Sequence, residues 1–567
     1  MKQLIKTTIL LLALLLPALA TAHDFEVDGI YYNINGNEAT VTYYGSSSLN
    51  DSHDYSGSVV IPATVTYNGT TYSVTAIGFF AFNRCTGLTS IDIPNSVTRI
   101  DERAFSGCSM LESVNIPNTV AYVGDNAFYN TAWYNNQPDG LVYVGMVAYE
   151  YKGTMPSGTS MTIKEGTLRI SDYAFANCAG LTNIVIPNSL TEIGEHAFDS
   201  CTGLSSIVIP KSVTKIGEDA FYNTAWYNSQ PNGLVYAGQV AYKYKGTMPS
   251  GTSITLRNGT KSITGTAFEY CEGLTSIVIP NSVTEIGNEA FCNCKGLTSL
   301  VIPNSVTEIA KDAFSYCSGL TSIVVESGNP RYDSPNDCNA IIETASNTLI
   351  VGCENTIIPN TVTKIGDYAF DGRRGLTDIV IPNSVTAIGF SAFADCTGLT
   401  SIDIPNSLTT IANSAFYRCT GLTSIVIPNS VTGINYQAFA DCMGLTEVYC
   451  YIADPSRVSN GYDDSCCWWY LYDGDYSGRT LHVRQGMTGA YQADERWYPY
   501  FGQIVEDIFL GDVNRDLEVN IADVNAAIDI ILGGNGSTIA ADVNGDGEIN
   551  IADINAVIDI ILSGTSN

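Results

Sequence analysis

The chain has 567 residues, of which 45% are hydrophobic and only 15% are charged. Its 57 acidic and 26 basic side chains give a formal net charge of −31. Because this charge repels phosphate backbones and anionic lipid, it argues against nucleic-acid binding and against binding to a membrane surface. The high apolar share and the 34 tyrosines argue against a disordered chain.

The first 22 residues have the features of a secretory signal peptide. Lys2 and Lys6 precede an apolar run at residues 9–19, and small residues offer a cleavage site before His23. The run is too short to cross a bilayer, and no later run reaches about 18 apolar residues. We therefore expect an exported protein that is secreted or held at the cell surface, with no membrane insertion.

An internal repeat organises the middle of the chain. The pair Ala-Phe recurs thirteen times, mostly at intervals of 23 residues. Its phenylalanines are at positions 82, 105, 128, 175, 198, 221, 268, 291, 314, 370, 393, 416 and 439. No single unit can bury its apolar residues alone, whereas stacked units can. The period therefore predicts a solenoid of short parallel strands.

The unit at residues 201–221 illustrates the expected path of the backbone. Pro210 ends a short strand because it lacks a backbone donor, and Gly217 permits a tight turn. The side chains predicted to face the core are Leu204, Ile207, Ile209, Val213, Ile216, Ala220 and Phe221.

The repeated sequence Ile-x-Ile-Pro-x-Ser-Val-Thr-x-Ile-Gly-x-x-Ala-Phe-x-x-Cys-x-Gly-Leu-Thr-Ser resembles the BspA-like leucine-rich repeat family of bacterial surface proteins. The resemblance covers residues 76–449 and implies a leucine-rich repeat solenoid that takes part in adhesion to host proteins or to other cells. We expect a β-rich cap on each side of it, at 23–75 and 450–506. Hairpin insertions are expected near 132–158, 225–251 and 326–355.

Variation between the repeats is concentrated between the two apolar residues of each strand. These side chains should point out of the sheet, where a ligand could contact them. Examples are Asp92, Asn115, Val185, Val208 and Asp403. The repeated Thr-Ser pair forms a second outward row, which is either a binding surface or simply a soluble face.

Catalytic motifs are missing from the sequence. The four histidines are scattered, with no zinc-protease, nucleophile-elbow or phosphate-loop motif. Glu192, Glu285 and Glu308 occupy equivalent outward positions, which is typical of a solvated face. We therefore predict a protein that is not an enzyme.

Most of the 16 cysteines follow the repeat. Ten lie three residues after a repeat phenylalanine and should form a buried ladder of small side chains. The ladder is interrupted by Thr131, Thr224 and Arg373. Cys338 and Cys353 differ because they flank a predicted hairpin, across which they would face each other. Export permits a disulfide between them, and two buried thiols are the alternative.

Two acidic segments near the C-terminus, 512–523 and 542–553, begin 30 residues apart. Side-chain oxygens at positions 1, 3, 5 and 12, with a backbone carbonyl at position 7, form the oxygen-rich shell that Ca²⁺ requires. Position 9 is an asparagine in both segments and could hold a coordinating water. The residues predicted for the two calcium sites are Asp512, Asn514, Asp516, Glu518, Asp523, Asp542, Asn544, Asp546, Glu548 and Asp553.

Each acidic segment runs into a predicted helix, and no long helix precedes it. Two such halves with aspartate at position 12 resemble a type I dockerin domain, which we place at residues 507–567. The resemblance implies a calcium-dependent contact with a cohesin partner through positions 10 and 11. In this chain those positions are Ile521, Ala522, Ile551 and Ala552.

Three functions remain open from the sequence. The first is an adhesin or interaction scaffold that binds a host or cell-surface protein or glycan and is fixed by its dockerin to a cohesin-bearing surface protein. The second is a non-catalytic component of a polysaccharide-degrading assembly, because dockerins are commonly appended to glycoside hydrolases. The third is an enzymatic solenoid.

Overall fold

The computed structural model describes residues 23–43, 55–458, 477–508, 511–513, 519, 521–532, 541–543 and 549–563. The predicted signal peptide therefore lies outside the described residues. The chain forms two compact units. The first comprises residues 1–231 and 236–240, and the second comprises residues 232–235 and 241–567.

The first unit is built almost entirely from short strands. These are β1 (Phe25–Val27), β2 (Ile30–Asn35), β3 (Glu38–Thr42), β4 (Gly57–Val60), β5 (Thr64–Tyr67), β6 (Thr70–Ile77), β7 (Leu88–Asp92), β8 (Arg99–Ile100), β9 (Ser113–Asn115), β10 (Tyr122–Val123), β11 (Gly140–Val144), β12 (Val147–Lys152), β13 (Thr159–Thr162), β14 (Arg169–Ile170), β15 (Leu181–Val185), β16 (Glu192–Ile193), β17 (Ser206–Val208) and β18 (Lys215–Ile216). The helices among its described residues are α1 (Ala132–Asn135) and α2 (Ala225–Asn228).

Strands β19 (Gly233–Ala237) and β20 (Val240–Lys245) contain the boundary between the units. The later strands are β21 (Thr252–Thr255), β22 (Ser262–Ile263), β23 (Leu274–Val278), β24 (Glu285–Ile286), β25 (Ser299–Ile302), β26 (Glu308–Ile309), β27 (Ser322–Val325), β28 (Tyr332–Asp333), β29 (Ala340–Glu343), β30 (Thr348–Gly352), β31 (Lys364–Ile365), β32 (Ala387–Ile388), β33 (Ser401–Asp403), β34 (Thr410–Ile411), β35 (Ser424–Ile427), β36 (Gly433–Ile434), β37 (Glu447–Cys450), β38 (Thr480–Arg484) and β39 (Gln503–Ile508). The helices are α3 (Thr488–Gln492), α4 (Ile521–Ile531) and α5 (Ile551–Ser563), with 3₁₀ turns at Pro335–Asp337, Pro455–Arg457 and Tyr498–Tyr500.

Each unit is a stretch of β-solenoid, because equivalent strands of successive repeats pair in parallel. In the first unit Ile184 pairs with Ile207 in one sheet and Ile193 pairs with Ile216 in a second sheet. Each pair is separated by 23 residues, so the sequence period is the register of the strands. The predicted leucine-rich repeat solenoid is confirmed.

The repeat phenylalanines form stacks inside the solenoid. All are buried, and neighbouring rings within a stack lie 4.9–5.5 Å apart and nearly parallel. Of the other positions predicted to face the core in the unit at 201–221, Leu204, Val213, Ile216 and Ala220 are buried, whereas Ile207 and Ile209 are only half-buried. Glycine is required at position 217 for a reason other than the predicted turn. A Cβ there would lie 2.3 Å from the backbone nitrogen of Glu195 in the neighbouring coil. The glycine permits the two coils to approach each other.

The cysteine ladder links successive coils by hydrogen bonds at seven of its ten positions. Seven ladder cysteines donate from Sγ to the carbonyl of the phenylalanine in the preceding coil, at 2.9–3.1 Å. Burial raises the pKa of the Cys317 thiol to about 11, so that this thiol keeps its proton at neutral pH. All fourteen cysteines within the described residues are free and buried.

The interruptions of the ladder have structural causes. Thr131 and Thr224 each accept a hydrogen bond from a backbone nitrogen three residues on, and so cap α1 and α2. Arg373 follows the long insertion near 326–355, and its guanidinium donates to Phe314 O at 2.9 Å and to Gly352 O at 2.8 Å. It thus reaches the carbonyl of the preceding repeat phenylalanine, as the ladder thiols do.

Cys338 and Cys353 are separate buried thiols in the structure, in keeping with the alternative to a disulfide. Strands β29 and β30 do pair as a hairpin, but a bulge between Ile341 and Ile342 shifts their register by one residue. On the side of the bulge where the cysteines lie, Ala340 pairs with Gly352. This register would place residue 354, and not Cys353, opposite Cys338. The Sγ of Cys353 donates instead to Asn339 O at 3.3 Å.

The ends of the repeat region are closed by further strands. Near the N-terminus β1, β2 and β3 are antiparallel, β3 joins β6 in parallel, and the ring of Tyr55 packs on Phe82 at 4.6 Å. At the other end β38 and β39 extend the parallel sheet of β37. The pairing of parallel strands therefore continues beyond residue 449, where the repeat motif is no longer present. Residues 459–476 of the cap expected at 450–506 lie outside the described residues.

Candidate functional site

The outward-pointing residues between the two apolar positions of successive strands form what we call the strand-face row. In the first unit it consists of Val60, Asp92, Asn115, Thr162, Val185 and Val208. In the second unit it consists of Thr255, Val278, Val301, Val324, Ile357, Val380, Asp403 and Val426. All of these residues are exposed except Val426, so the outward direction inferred from the repeat variation is correct.

The row differs in chemistry between the units. In the first unit polar and aliphatic residues are mixed, and Asn115 Nδ2 donates to Asp92 Oδ1 at 2.6 Å. In the second unit five successive members are aliphatic and 45–77% exposed. They are Val278, Val301, Val324, Ile357 and Val380. Contiguous exposed apolar surface of this kind marks interaction sites on soluble proteins.

The neighbouring threonine row is structural. Thr275, Thr298 and Thr321 donate from Oγ1 to the backbone carbonyl of the residue 23 positions earlier, at 3.0–3.4 Å. The same bond recurs at Thr182 in the first unit. Because these hydroxyls are engaged between coils, the strand-face row is the better candidate for ligand contact.

The carboxylates of the outer face do not converge on a metal centre. Glu192 lies 3.6 Å from Nη1 of Arg169, and Glu285 is the register partner of Glu308. Within the described part of the chain, no group of three His, Cys, Asp or Glu side chains could hold a metal ion.

In the described part of the C-terminal module, α4 and α5 pack on each other. Its buried core is formed by Val513, Val524, Ala527, Ala541 and Val557. Val524, Ala527 and Val557 of the two helices therefore face inward, whereas Ile521 and Ile551 are 68% and 72% exposed. Ala522 and Ala552 are also exposed, so all four predicted partner-binding residues are accessible at the starts of the two helices.

Four of the predicted calcium ligands are described, and all four are buried. Asp523 and Asp553 lie in the first turns of the two helices, and Asp512 and Asp542 precede the helices. The others, Asn514, Asp516, Glu518, Asn544, Asp546 and Glu548, lie outside the described residues. Residues 507–567 contain eleven acidic side chains and one basic side chain. A buried carboxylate requires a paired charge or a metal ion, so this oxygen-rich set fits Ca²⁺.

Asn550, at position 9 of the second loop, has a local structural role. Its Oδ1 accepts from Ala552 N at 2.8 Å, while its own backbone nitrogen donates to Asp553 Oδ2 at 2.9 Å. This reciprocal pair is a capping box, which fixes the start of α5. It also holds Asp553, the predicted position-12 ligand, in the first turn of α5.

None of the helices that the structure describes has the length and apolarity needed to cross a membrane. Residues 61–154, 143–246, 239–334 and 349–455 match the BspA type leucine rich repeat region, and residues 510–562 match the dockerin type I domain. The search among curated proteins found no match.

Solved structures of bacterial leucine-rich repeat proteins are similar to this chain. A leucine-rich cell surface protein from Faecalibacterium prausnitzii is 25% identical and covers 75% of this chain and 94% of its own, with a TM-score of 0.31. A leucine-rich repeat protein from Bacteroides ovatus is 26% identical and covers 76% and 95%, with a TM-score of 0.24.

Proposed function

Because the chain belongs to the BspA-type leucine-rich repeat family and carries a dockerin type I domain, we propose that it is an exported, non-catalytic interaction protein with two binding modules. The dockerin fixes it to a cohesin-type partner in a calcium-dependent manner. The solenoid presents its strand-face row to a protein or glycan ligand of a host or of another cell. Both matched families are interaction modules without catalytic residues.

The docking half of the proposal is carried by the four buried aspartates of the C-terminal module. Bound Ca²⁺ would be held by the carboxylates of both loops and would neutralise part of their charge. Asp523 and Asp553 occupy the first turns of α4 and α5, next to the exposed pairs Ile521-Ala522 and Ile551-Ala552. A cation at either loop would therefore stabilise the start of the helix that contacts the partner.

The ligand-binding half rests on the exposed aliphatic stretch of the strand-face row. Successive strands lie about 4.8 Å apart, so its side chains line up at the spacing of the coils. Within the second unit, an exposed aliphatic row can contact an extended partner over several coils, as solenoid surfaces do.

Docking is tested with the full chain on immobilised type I cohesin. We expect retention in calcium, release by EDTA, and no retention of an Asp523→Ala/Asp553→Ala double variant. The matched control is Val301→Arg/Val324→Arg, which changes the strand-face row and should leave cohesin retention intact. Retention that is as strong in EDTA as in calcium, or that survives in the Asp523→Ala/Asp553→Ala variant, would contradict the proposed docking.

Ligand binding is tested with the same two variants on panels of host matrix proteins, glycans and surface proteins of the producing cell. Here the strand-face variant should lose binding and the dockerin variant should keep it.

The dockerin also favours the second function, a substrate-binding component of a polysaccharide-degrading assembly. Binding to plant or microbial polysaccharides, and not to host proteins, would support that function over adhesion.

A further inference from the structure

One hydrogen bond within the second unit joins the solenoid to the C-terminal module. Nδ2 of Asn406 donates to Oδ2 of Asp542 at 2.7 Å, although the two residues are 136 positions apart in the chain. Asn406 follows directly after the proline that ends the strand of its coil. Asp542 is the first predicted ligand of the second calcium loop and is 9% exposed.

The strand face is covered close to this bond. Val426, the register partner of Asp403, is only 3% exposed, although Val380 in the same row is 77% exposed. Asp403 and Asn406 belong to the coil next to that of Val426. Asp403, in the coil of Asn406 itself, is still exposed, so the row becomes buried only at the following coil.

The contact is a feature of this coil and does not recur in the neighbouring repeats. Asn383 occupies the same repeat position one coil earlier and is exposed. Asn429, one coil later, accepts from Ala453 N at 3.0 Å and so serves the solenoid itself. An asparagine at this position has no common partner in the repeat, so the bond of Asn406 to Asp542 is specific.

We propose that Asn406 is a positioning residue for the second calcium loop and couples cation binding there to docking of the module on its own solenoid. A carboxylate has lone pairs on two oxygens, so it can accept an amide hydrogen bond and ligate a cation at the same time. Hydrogen-bond partners of ligating groups orient them, and their loss typically weakens metal binding by about 10–100-fold. This inference rests on the proposed calcium-binding function of the dockerin.

Coupling of this kind is reciprocal. If the bond to Asn406 strengthens calcium binding, calcium must strengthen the contact between the module and the coil of Asn406 by the same factor. The dockerin would then be held against the solenoid when calcium is abundant, and would be released from it when calcium is scarce.

The affinity test uses the full chain with Asp512→Ala, which disables the first loop and leaves the second to be titrated with calcium by calorimetry. Adding Asn406→Ala should weaken binding by about tenfold. Adding Asn383→Ala, the matched control, should leave it unchanged. In EDTA the solenoid of all three proteins should melt at the same temperature, because Asn406 has no role in the fold of its coil.

The reciprocal test is hydrogen exchange over residues 401–411 with and without calcium. We expect calcium to protect this segment in the Asn383→Ala protein and to have no effect in the Asn406→Ala protein. Equal calcium affinity and equal protection in the two would overturn the inference while leaving the calcium-binding dockerin intact. Failure of the unsubstituted chain to bind calcium would overturn both.

Discussion

Truncation of Phe291 to alanine should open a cavity in the middle of a phenylalanine stack. The ring is fully buried between Phe268 at 5.1 Å and Phe314 at 5.2 Å, with both pairs almost parallel. Removal of a buried aromatic ring costs about 3–5 kcal/mol. Two ring contacts worth about 0.5–1.5 kcal/mol each are lost as well. We therefore expect a loss of stability in the upper half of that range.

Because each coil contacts mainly its neighbours, the damage should be local. Hydrogen exchange should increase in the coils of Phe268, Phe291 and Phe314 and stay unchanged in the C-terminal module. Val278→Ala in the same stretch is the control, since this side chain is 55% exposed and its truncation should cost no more than about 0.5 kcal/mol. Unchanged melting and proteolysis of the Phe291→Ala protein would refute the inward stacking.

Arg373→Leu should lower the free energy of unfolding in urea by about 3 kcal/mol, because each buried carbonyl that loses its donor costs about 1–3 kcal/mol. An unchanged midpoint of urea unfolding would show that the guanidinium is dispensable. Burial raises the pKa of Asp371 from 3.8 to about 7, so its stabilising contribution is complete below pH 3.8 and is lost as the pH rises through 7. At about 1.36 kcal/mol per pKa unit, the loss of stability between these two pH values amounts to about 4 kcal/mol. Asp371→Asn should therefore abolish this pH dependence of the melting temperature. If the melting temperature of the variant still falls over the same pH range, Asp371 is not the cause. The two calcium loops should differ in affinity, because position 6 of an EF-hand-type loop requires a sharp turn that glycine permits. The second loop has Gly547 at that position, whereas the first has Leu517, together with Arg515. Calorimetry should resolve a tighter second site, and Leu517→Gly should tighten the first; equal sites in the unsubstituted protein would contradict this.

The strictly periodic features of the fold could be predicted from the sequence. Phe291 and its counterparts are buried because a residue that recurs in every coil meets its own copies above and below. The 23-residue period therefore determined both the register and the core. The exposed position of Val301 follows from the same alternation along the strand.

The features that depend on a single coil could not be predicted. Arg373 looked like a break in the cysteine ladder, and only the path of the chain around the insertion shows that its longer side chain reaches the same carbonyl. The bulge that separates Cys338 from Cys353 leaves no mark in the sequence. Asn406 resembles every other asparagine at its repeat position, and its partner lies 136 residues away.

The duplicated insertions show where recent copies have diverged. Residues 131–160 and 224–253 differ at only five positions, so their shared residues reflect common origin before they reflect function. Two of the changes replace Glu150 by Lys243 and Asp139 by Asn232, which converts a net charge of −1 into +2. Glu150 and Asp139 are exposed, and Lys243 Nζ donates to Thr266 Oγ1 at 2.9 Å. Since a charged ligand attracted by one copy is repelled by the other, the two insertions cannot present equivalent binding surfaces.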